Sequence, residues 1–195
     1  MDDSKLDVGE VTRLLQAAYD GEADALERLF PLVYDDLRRL ARRQLGYEYA
    51  ERTLNPTALV HESYLKLGHS AMAARDRTHF LAIAARAMRQ VLVDQARDRK
   101  AAKRGGGAWE RTTLTDGAWA GEFDPDGVLA LNEALDKLEP RQRQVVECRF
   151  FGGMEEREIA AALGISERTV HRDWIKARAW LYRYFYPDGQ GPASP

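Results

Sequence analysis

The chain has 195 residues, of which 45% are hydrophobic and 31% are charged, and its formal net charge is −2. This length suits one medium or two small globular domains, and the composition excludes collagen-like and wholly disordered proteins. The one cysteine, Cys148, cannot form an internal disulfide or, by itself, a cysteine zinc site.

No apolar run approaches the roughly 18 residues that a membrane span needs. The acidic start MDDSKLD lacks the basic and apolar regions of a secretory signal. We therefore expect a cytoplasmic protein with no membrane insertion.

The first half of the chain predicts four helices. Apolar residues recur every three or four positions and indicate two amphipathic helices, which are separated near Asp20-Gly21. A third helix is expected to begin at Asn55-Pro56, because asparagine is a good N-cap and proline suits the first helical position, and to end at Gly68. A long helix is predicted from His79 to about Lys103, followed by three helix-terminating glycines.

Charge is distributed in blocks along the chain. Residues 61–104 carry ten basic and four acidic side chains, whereas residues 105–127 carry one basic and five acidic ones. Such blocks are consistent with contact to a polyanion, and ordinary surface variation explains them about equally well. We predict a flexible acidic linker over residues 105–127 that joins two bodies, residues 9–104 and 128–186.

The C-terminal third predicts a helix-turn-helix. One helix is expected from Pro140 to Gly152-Gly153, and two more lie between residues 156 and 185. Between those two, Gly164 supplies a left-handed turn residue and Ser166 an N-cap. Outward positions that can reach phosphates or base edges in the major groove are Ser166, Arg168, Thr169, His171, Arg172 and Lys176. Two packed helices with a solvated basic face are the alternative.

No segment shows sustained alternation with a period of two residues, so we predict no strands. The expected fold is all-α. It consists of two small helical domains joined by the flexible acidic linker, and the C-terminal domain contains the helix-turn-helix.

Three segments together resemble a bacterial sigma factor of the extracytoplasmic-function (ECF) class in the sigma-70 family. They are TLNPTALVHESYLKL at residues 53–67, THFLAIAARAMRQVLVDQARDRKAAKRGGG at 78–107, and LEPRQRQVVECRFFGGMEEREIAAALGISERTVHRDWIKARAWL at 138–181. The resemblance implies an alternative sigma factor that binds core RNA polymerase, at its clamp helices and flap, and directs initiation at promoter DNA. It also implies that residues 9–104 bind polymerase and the −10 element, and that residues 128–186 bind the −35 element.

The resemblance also implies roles for individual residues of the N-terminal domain. The helix that begins at Asn55 matches the polymerase-binding helix, with core packing as the alternative role for its apolar members. Its candidate contacts are Leu59, His61, Glu62 and Lys66. Candidate contacts to the −10 element are Arg75, Arg77, Arg86, Arg89 and Arg97, some of which must simply be solvated.

One departure from the family suggests regulation. Many relatives carry an acidic run at the start of the polymerase-binding helix, whereas this chain has Asn55, Pro56, Thr57 and Ala58 there. A phosphate on Thr53 or Thr57 would place roughly −1.5 to −2 charges at a helix N-terminus that favours anions. We therefore hypothesise that a serine/threonine kinase activates the protein. A capping hydroxyl is the alternative, and an anti-sigma factor is another possible regulator.

Two other classes of protein compete with this interpretation. A helix-turn-helix regulator that binds an operator without engaging polymerase fits the C-terminal third, but has no need of residues 53–107. An enzyme is disfavoured, because the four histidines show no metal-ligand spacing and the chain has no GxxxxGK[ST] phosphate loop. We expect no catalytic residue, cofactor or metal site.

Overall fold

The computed structural model describes residues 3–22, 24–45, 56–105 and 125–188. Within these ranges the chain forms eight α-helices and one π-helical segment, and no strand. The all-α prediction is therefore confirmed. The helices are α1 (Asp3–Tyr19), α2 (Ala25–Leu45), α3 (Pro56–Met72), α4 (Arg77–Gly105), α5 (Pro125–Asp136), α6 (Pro140–Val146), α7 (Glu156–Leu163) and α8 (Glu167–Phe185), and the π-helical segment spans Glu147–Phe151.

Helices α1 to α4 form what we call the N-terminal body. The buried face of α2 carries Leu29, Val33 and Leu37, whose spacing of four residues places them on one side of the helix. Helix α3 packs on this element, and the Tyr64 hydroxyl donates a hydrogen bond of 3.0 Å to the Leu26 carbonyl of α2. These contacts leave the opposite side of α3 available to solvent.

Helices α3 and α4 are longer than their sequence patterns predict. Helix α3 continues through Gly68 to Met72, although a glycine costs roughly 1 kcal/mol inside a helix. Helix α4 begins at Arg77 rather than His79, since the Asp76 carboxylate accepts the His79 backbone N–H at 2.8 Å and so caps the first turn.

Helices α5 to α8 and the π-helical segment form what we call the C-terminal body. Helix α5 begins at Pro125, three residues before the predicted start. The single helix expected between Pro140 and Gly152 changes to π-helical winding at Glu147, where the Gly152 N–H donates to the Glu147 carbonyl at 3.0 Å. A Cβ atom on Gly152 would lie 2.5 Å from the Cys148 carbonyl oxygen, so this winding requires glycine.

Helices α7 and α8 are joined by a short turn. Gly164 has a φ of 67°, in the left-handed region, and the Ile165 N–H donates to the Ala160 carbonyl at 3.1 Å. The Ser166 side chain then accepts the Thr169 N–H at 3.2 Å and caps α8. Fully buried Ile159 and Val170 pack between the two helices.

The two bodies share one apolar core. Leu135, Val146 and Ala177 of the C-terminal body belong to the same buried cluster as Leu37 and Phe80 of the N-terminal body. The domain boundaries at residues 104 and 128 therefore remain a prediction, and most of the predicted linker lies outside the described residues. No helix in the described ranges is long and apolar enough to cross a membrane.

Candidate nucleic-acid and polymerase interfaces

Helix α8 presents a basic face to solvent. Arg168, His171, Arg172 and Lys176 are all exposed. Arg168, Arg172 and Lys176 follow one another at intervals of four residues and so lie along one side of the helix, with His171 three residues after Arg168 on the same side. Thr169 is half-buried, and its hydroxyl lies 2.9 Å from the Ser166 hydroxyl. The structure thus brings the predicted −35 contacts together on the N-terminal half of one helix.

An ion pair between exposed Arg141 and buried Asp173 joins α8 to α6. Asp173, on the inner side of the helix, accepts a hydrogen bond of 2.5 Å from Arg141 Nε of α6. This hydrogen bond and the Arg141 charge hold the pKa of Asp173 below its ordinary value of 3.8. The Glu156 carboxylate lies 3.1 Å from His171 Nδ1 and so joins α7 to α8. The basic face therefore rests on a rigid support.

The outer side of α3 carries three of the four predicted polymerase contacts. His61 is exposed and Glu62 is half-buried, with Glu62 accepting a hydrogen bond of 3.1 Å from Gln95 of α4. Burial is the main cause that raises the pKa of the Glu62 carboxyl. Lys66 forms an ion pair with Asp94. Glu62 and Lys66 are therefore already oriented by α4.

Leu59 belongs to the core. Its side chain is 0% exposed and packs in the cluster that joins α2, α3 and α4. A side chain with no accessible surface cannot contact polymerase directly, so the predicted contact at Leu59 is corrected to core packing. Leu65, which the sequence analysis did not single out, is 82% exposed and lies beside Lys66. The sequence contained a signal for this exposure, because Leu65 does not share the helical spacing of the buried residues of α3.

Arg75, in the loop before α4, and Arg77, the first residue of α4, both contact other parts of the protein. Arg75 Nη2 donates 3.0 Å to the Ala162 carbonyl at the end of α7, so this side chain crosses to the C-terminal body. Arg77 forms an ion pair with buried Asp36 of α2. Arg75 is exposed apart from this hydrogen bond, whereas Arg77 is half-buried.

Arg89 is buried between the two bodies. It is 4% exposed, and its guanidinium donates 2.7 Å to Glu147 of the π-helical segment and 2.6 Å to Asn132 of α5. Glu147 also accepts a hydrogen bond of 2.9 Å from Arg143. Desolvation is the main cause that lowers the pKa of Arg89. The surface position expected for Arg89 from the sequence is therefore corrected to a buried one.

The remaining −10 candidates on α4 are exposed. Arg86 lies 3.8 Å from the second oxygen of Glu147, at the edge of the buried network. Arg97 lies 3.4 Å from Asp94 and is more than half exposed. Of the predicted set on this helix, these two arginines are accessible to DNA while the bodies remain in contact.

Of the two predicted phosphorylation sites, Thr57 lies within the described residues and Thr53 does not. Thr57 is half-buried in the first turn of α3, and that turn contains no acidic residue. The absence of carboxylates that the sequence analysis noted is therefore a property of the folded helix as well.

A groove with aromatic walls lies on the C-terminal body. It has a volume of about 280 Å³ and runs between the π-helical segment and the end of α8. Phe150 is 61% exposed at this groove, and Tyr182 and Phe185 are exposed beside it. The sequence analysis missed this surface, because the same aromatic residues also fit a buried helix face.

The described residues contain no cluster of histidine, cysteine, aspartate or glutamate that could hold a metal ion. Cys148 is buried in the π-helical segment, where desolvation raises the pKa of its thiol to about 12. A thiol with so high a pKa is a poor nucleophile at neutral pH.

Comparison with known proteins identifies the family. A model of the ECF sigma factor family matches residues 8–185. Similar solved structures include CnrH in complex with the cytosolic domain of CnrY, at 21% identity and a TM-score of 0.40 over 92% of this chain and 99% of that one. Another is the sigma factor RpoE with the anti-sigma factor NepR from Bartonella quintana, at 19% identity and a TM-score of 0.39 over 85% of this chain and 99% of that one. No curated protein matches the chain.

Because the family match spans most of its length, the chain belongs to the ECF sigma factor family. It is therefore an alternative sigma factor, a DNA-binding transcription factor that binds RNA polymerase, in a family of proteins that are not enzymes. The exposed basic face of α8 and the outer side of α3 are the surfaces to which these two kinds of binding can be assigned.

The contact between Arg89 and Glu147 predicts a measurable energetic coupling between the bodies. We expect Glu147→Gln to lower the free energy of unfolding by about 3–5 kcal/mol, since it leaves buried Arg89 without a carboxylate. Arg89→Met should lower it less, because Glu147 keeps its ion pair with Arg143. The double variant should lose at least about 1 kcal/mol less than the sum of the single losses. Urea denaturation of the four proteins measures this coupling.

The exposed pair Arg13–Glu10 on α1 is the matched control, because its two side chains lie 3.3 Å apart at the surface. The same cycle there should give a coupling below about 0.5 kcal/mol. Equal couplings at the two sites would show that the buried pair does not connect the bodies.

Proposed function

We propose that α8 reads the promoter −35 element. The observation that carries this proposal is the exposed row Arg168, His171, Arg172 and Lys176, which follows directly after the Ser166 cap. In helix-turn-helix proteins the N-terminal half of the second helix lies in the major groove and contacts base edges there. The turn at Gly164 sets the angle between α7 and α8, and the Arg141–Asp173 pair fixes α8 on the body.

Substitutions on α8 test this assignment. We expect Arg168→Ala to weaken binding to duplex DNA with the −35 element by about 1–3 kcal/mol. Lys176→Ala should reduce the slope of the logarithm of the binding constant against the logarithm of salt concentration by about one. Titration of the purified full chain with labelled DNA at several salt concentrations measures both effects. Arg183→Ala, on the same helix about three turns beyond Arg172, should bind like the unmodified protein. Equal weakening by Arg183→Ala would remove the basis for a specific reading face.

The outer side of α3 is the surface that we assign to core polymerase. It combines an exposed leucine, Leu65, with the charged or polar side chains His61, Glu62 and Lys66. An apolar side chain surrounded by polar ones is the usual composition of an interface, with an apolar centre and a polar rim. Hydrogen bonds and ion pairs to α4 hold Glu62 and Lys66 in position before binding.

Leu65→Glu tests the α3 surface. We expect it to weaken association with core polymerase at least tenfold, because it introduces a charge at the centre of the contact, while the free energy of unfolding stays nearly unchanged. The control is Tyr19→Glu, which replaces another exposed apolar residue, on α1. Affinity measurement with purified core polymerase decides the question. If both variants bind alike, α3 is not the interface.

We also assign the −10 element to the loop before α4 and to α4 itself. Arg86 and Arg97 are accessible, whereas Arg75 and Arg89 contact the C-terminal body. For Arg89 to reach DNA, the bodies must separate, whereas Arg75 need only release the Ala162 carbonyl. We therefore regard the closed arrangement as the free form and an open arrangement as the form that engages polymerase and promoter.

We assign the aromatic groove of the C-terminal body to the polymerase flap. In the open form, this groove is a docking site for an apolar helix of the flap, and an anti-sigma factor would compete with the flap for it.

Phosphorylation at the start of α3 is the regulatory step that we propose. The first turn of α3 has no acidic residue, and backbone N–H groups at a helix N-terminus favour an anion. A phosphate on Thr57, or on Thr53 just before the helix, would supply the negative charge that many relatives carry at this place. A serine/threonine kinase is thus the expected partner.

Kinase treatment followed by pull-down tests this step. Phosphorylated protein should bind core polymerase more tightly than untreated protein, and Thr57→Ala or Thr53→Ala should abolish the increase. In run-off transcription on the DNA upstream of the gene, phosphorylated protein should give more transcript than untreated protein, and the alanine variants should show no such increase. If alanine and acidic variants at both positions bind like the unmodified chain, the phosphorylation hypothesis is wrong.

A further inference from the structure

A cleft rich in arginine lies between the two bodies. Its volume is about 670 Å³, within the range of roughly 300–1,000 Å³ typical of pockets for small molecules. The N-terminal body contributes four arginines, and the C-terminal body contributes the loop from Gly152 to Met154 and Glu158 of α7. None of the assignments made above uses this cleft as a binding site.

The charges in the cleft are not balanced. Four arginines face two carboxylates, and buried Asp36 is already paired with both Arg39 and Arg77. Within the described residues, Arg42 and Arg43 have no hydrogen bond or ion pair. These two guanidinium groups are therefore available to an anion, and arginine binds phosphate in a bidentate manner.

Arg43 is held at the boundary between the bodies. Gly153 has a φ of 66°, and a Cβ atom built on it would lie 1.1 Å from Arg43 Nη1. The Arg43 guanidinium thus lies directly against the backbone of the C-terminal body. A ligand bound by Arg43 would contact both bodies at once.

Three apolar side chains also line the cleft. Leu40 and Met154 are buried, and Leu81 is half-buried. A volume of about 670 Å³ is that of a small-molecule pocket. The cleft therefore suits a small molecule that joins an anionic part to an apolar part.

We propose that this cleft binds a nucleoside diphosphate or triphosphate. Arg42 and Arg43 hold the phosphate chain, and the base lies against Leu40, Leu81 and Met154. Because both bodies line the site, the bound nucleotide stabilises their closed arrangement by mass action. The binding itself does not depend on the sigma-factor role, and it can be measured without polymerase or promoter.

Titration calorimetry of the full chain with ATP and with GTP, at constant ionic strength, tests the proposal. We expect saturable binding of one nucleotide per chain, tighter than tripolyphosphate, which in turn binds more tightly than orthophosphate. Arg42→Ala/Arg43→Ala should weaken nucleotide binding at least tenfold and abolish the nucleotide-dependent rise in melting temperature. Arg42→Lys/Arg43→Lys keeps the charge but loses bidentate contacts, so binding should weaken at least threefold.

The matched control is Arg13→Ala/Arg28→Ala, which removes the same charge from exposed sites outside the cleft. It should bind nucleotide within twofold of the unmodified protein. If it weakens binding as much as the cleft variant, or if binding does not saturate, the attraction is non-specific and the proposal is wrong. The proposal also fails if the chain binds no nucleotide and Arg42 and Arg43 are instead needed to bind a duplex of arbitrary sequence. Should the alanine variant unfold, the lysine variant decides, since its charge is unchanged.

Discussion

The ion pair between Arg89 and Glu147 is the contact on which the arrangement of the whole chain depends. Removing two charges from water is costly, and a buried pair is tolerated only when further hydrogen bonds satisfy both partners. Asn132 provides one for Arg89, and Arg143 provides one for Glu147. Such a network contributes more to a defined relative position of the two bodies than to net stability, because an apolar pair of similar volume would be at least as stable.

The same network connects folding to function. The π-helical winding places Glu147 where α4 passes, and that winding requires Gly152. Under the proposed assignment of the −10 element to α4, Arg89 would have to leave this network before it could contact DNA, and Arg75 would have to release the Ala162 carbonyl. DNA binding through these two arginines would therefore compete with contacts inside the free protein, and we propose the closed arrangement as a point of control for that reason.

Sequence patterns were sufficient where structure is determined locally. The turn between α7 and α8 follows from Gly164 and Ser166, and the start of α3 follows from Pro56, because these residues act on their own backbone or on that of near neighbours. The outward positions of α8 follow from helical periodicity in the same way.

Features that arise from contacts distant in sequence were not predictable in this way. The burial of Arg89 depends on a residue 58 positions away, and an arginine on a basic helix reads as a surface residue unless that partner is known. The π-helical segment has no periodic signature of its own over five residues. The extension of α3 beyond Gly68 runs against the usual preference of glycine for helix ends. The arginine cleft combines residues from both bodies, so no single segment indicates it.

Measuring the distance between the two bodies in solution tests most directly whether they are in contact in the free protein. Spin labels at Glu22 of the N-terminal body and Glu167 of the C-terminal body, both exposed, allow it to be followed by pulsed electron paramagnetic resonance. The account predicts one narrow, short distance in the free protein, and a longer distance both in the complex with core polymerase and in the free Arg89→Met variant. A broad distribution in the free protein that Arg89→Met and polymerase both leave unchanged would contradict it.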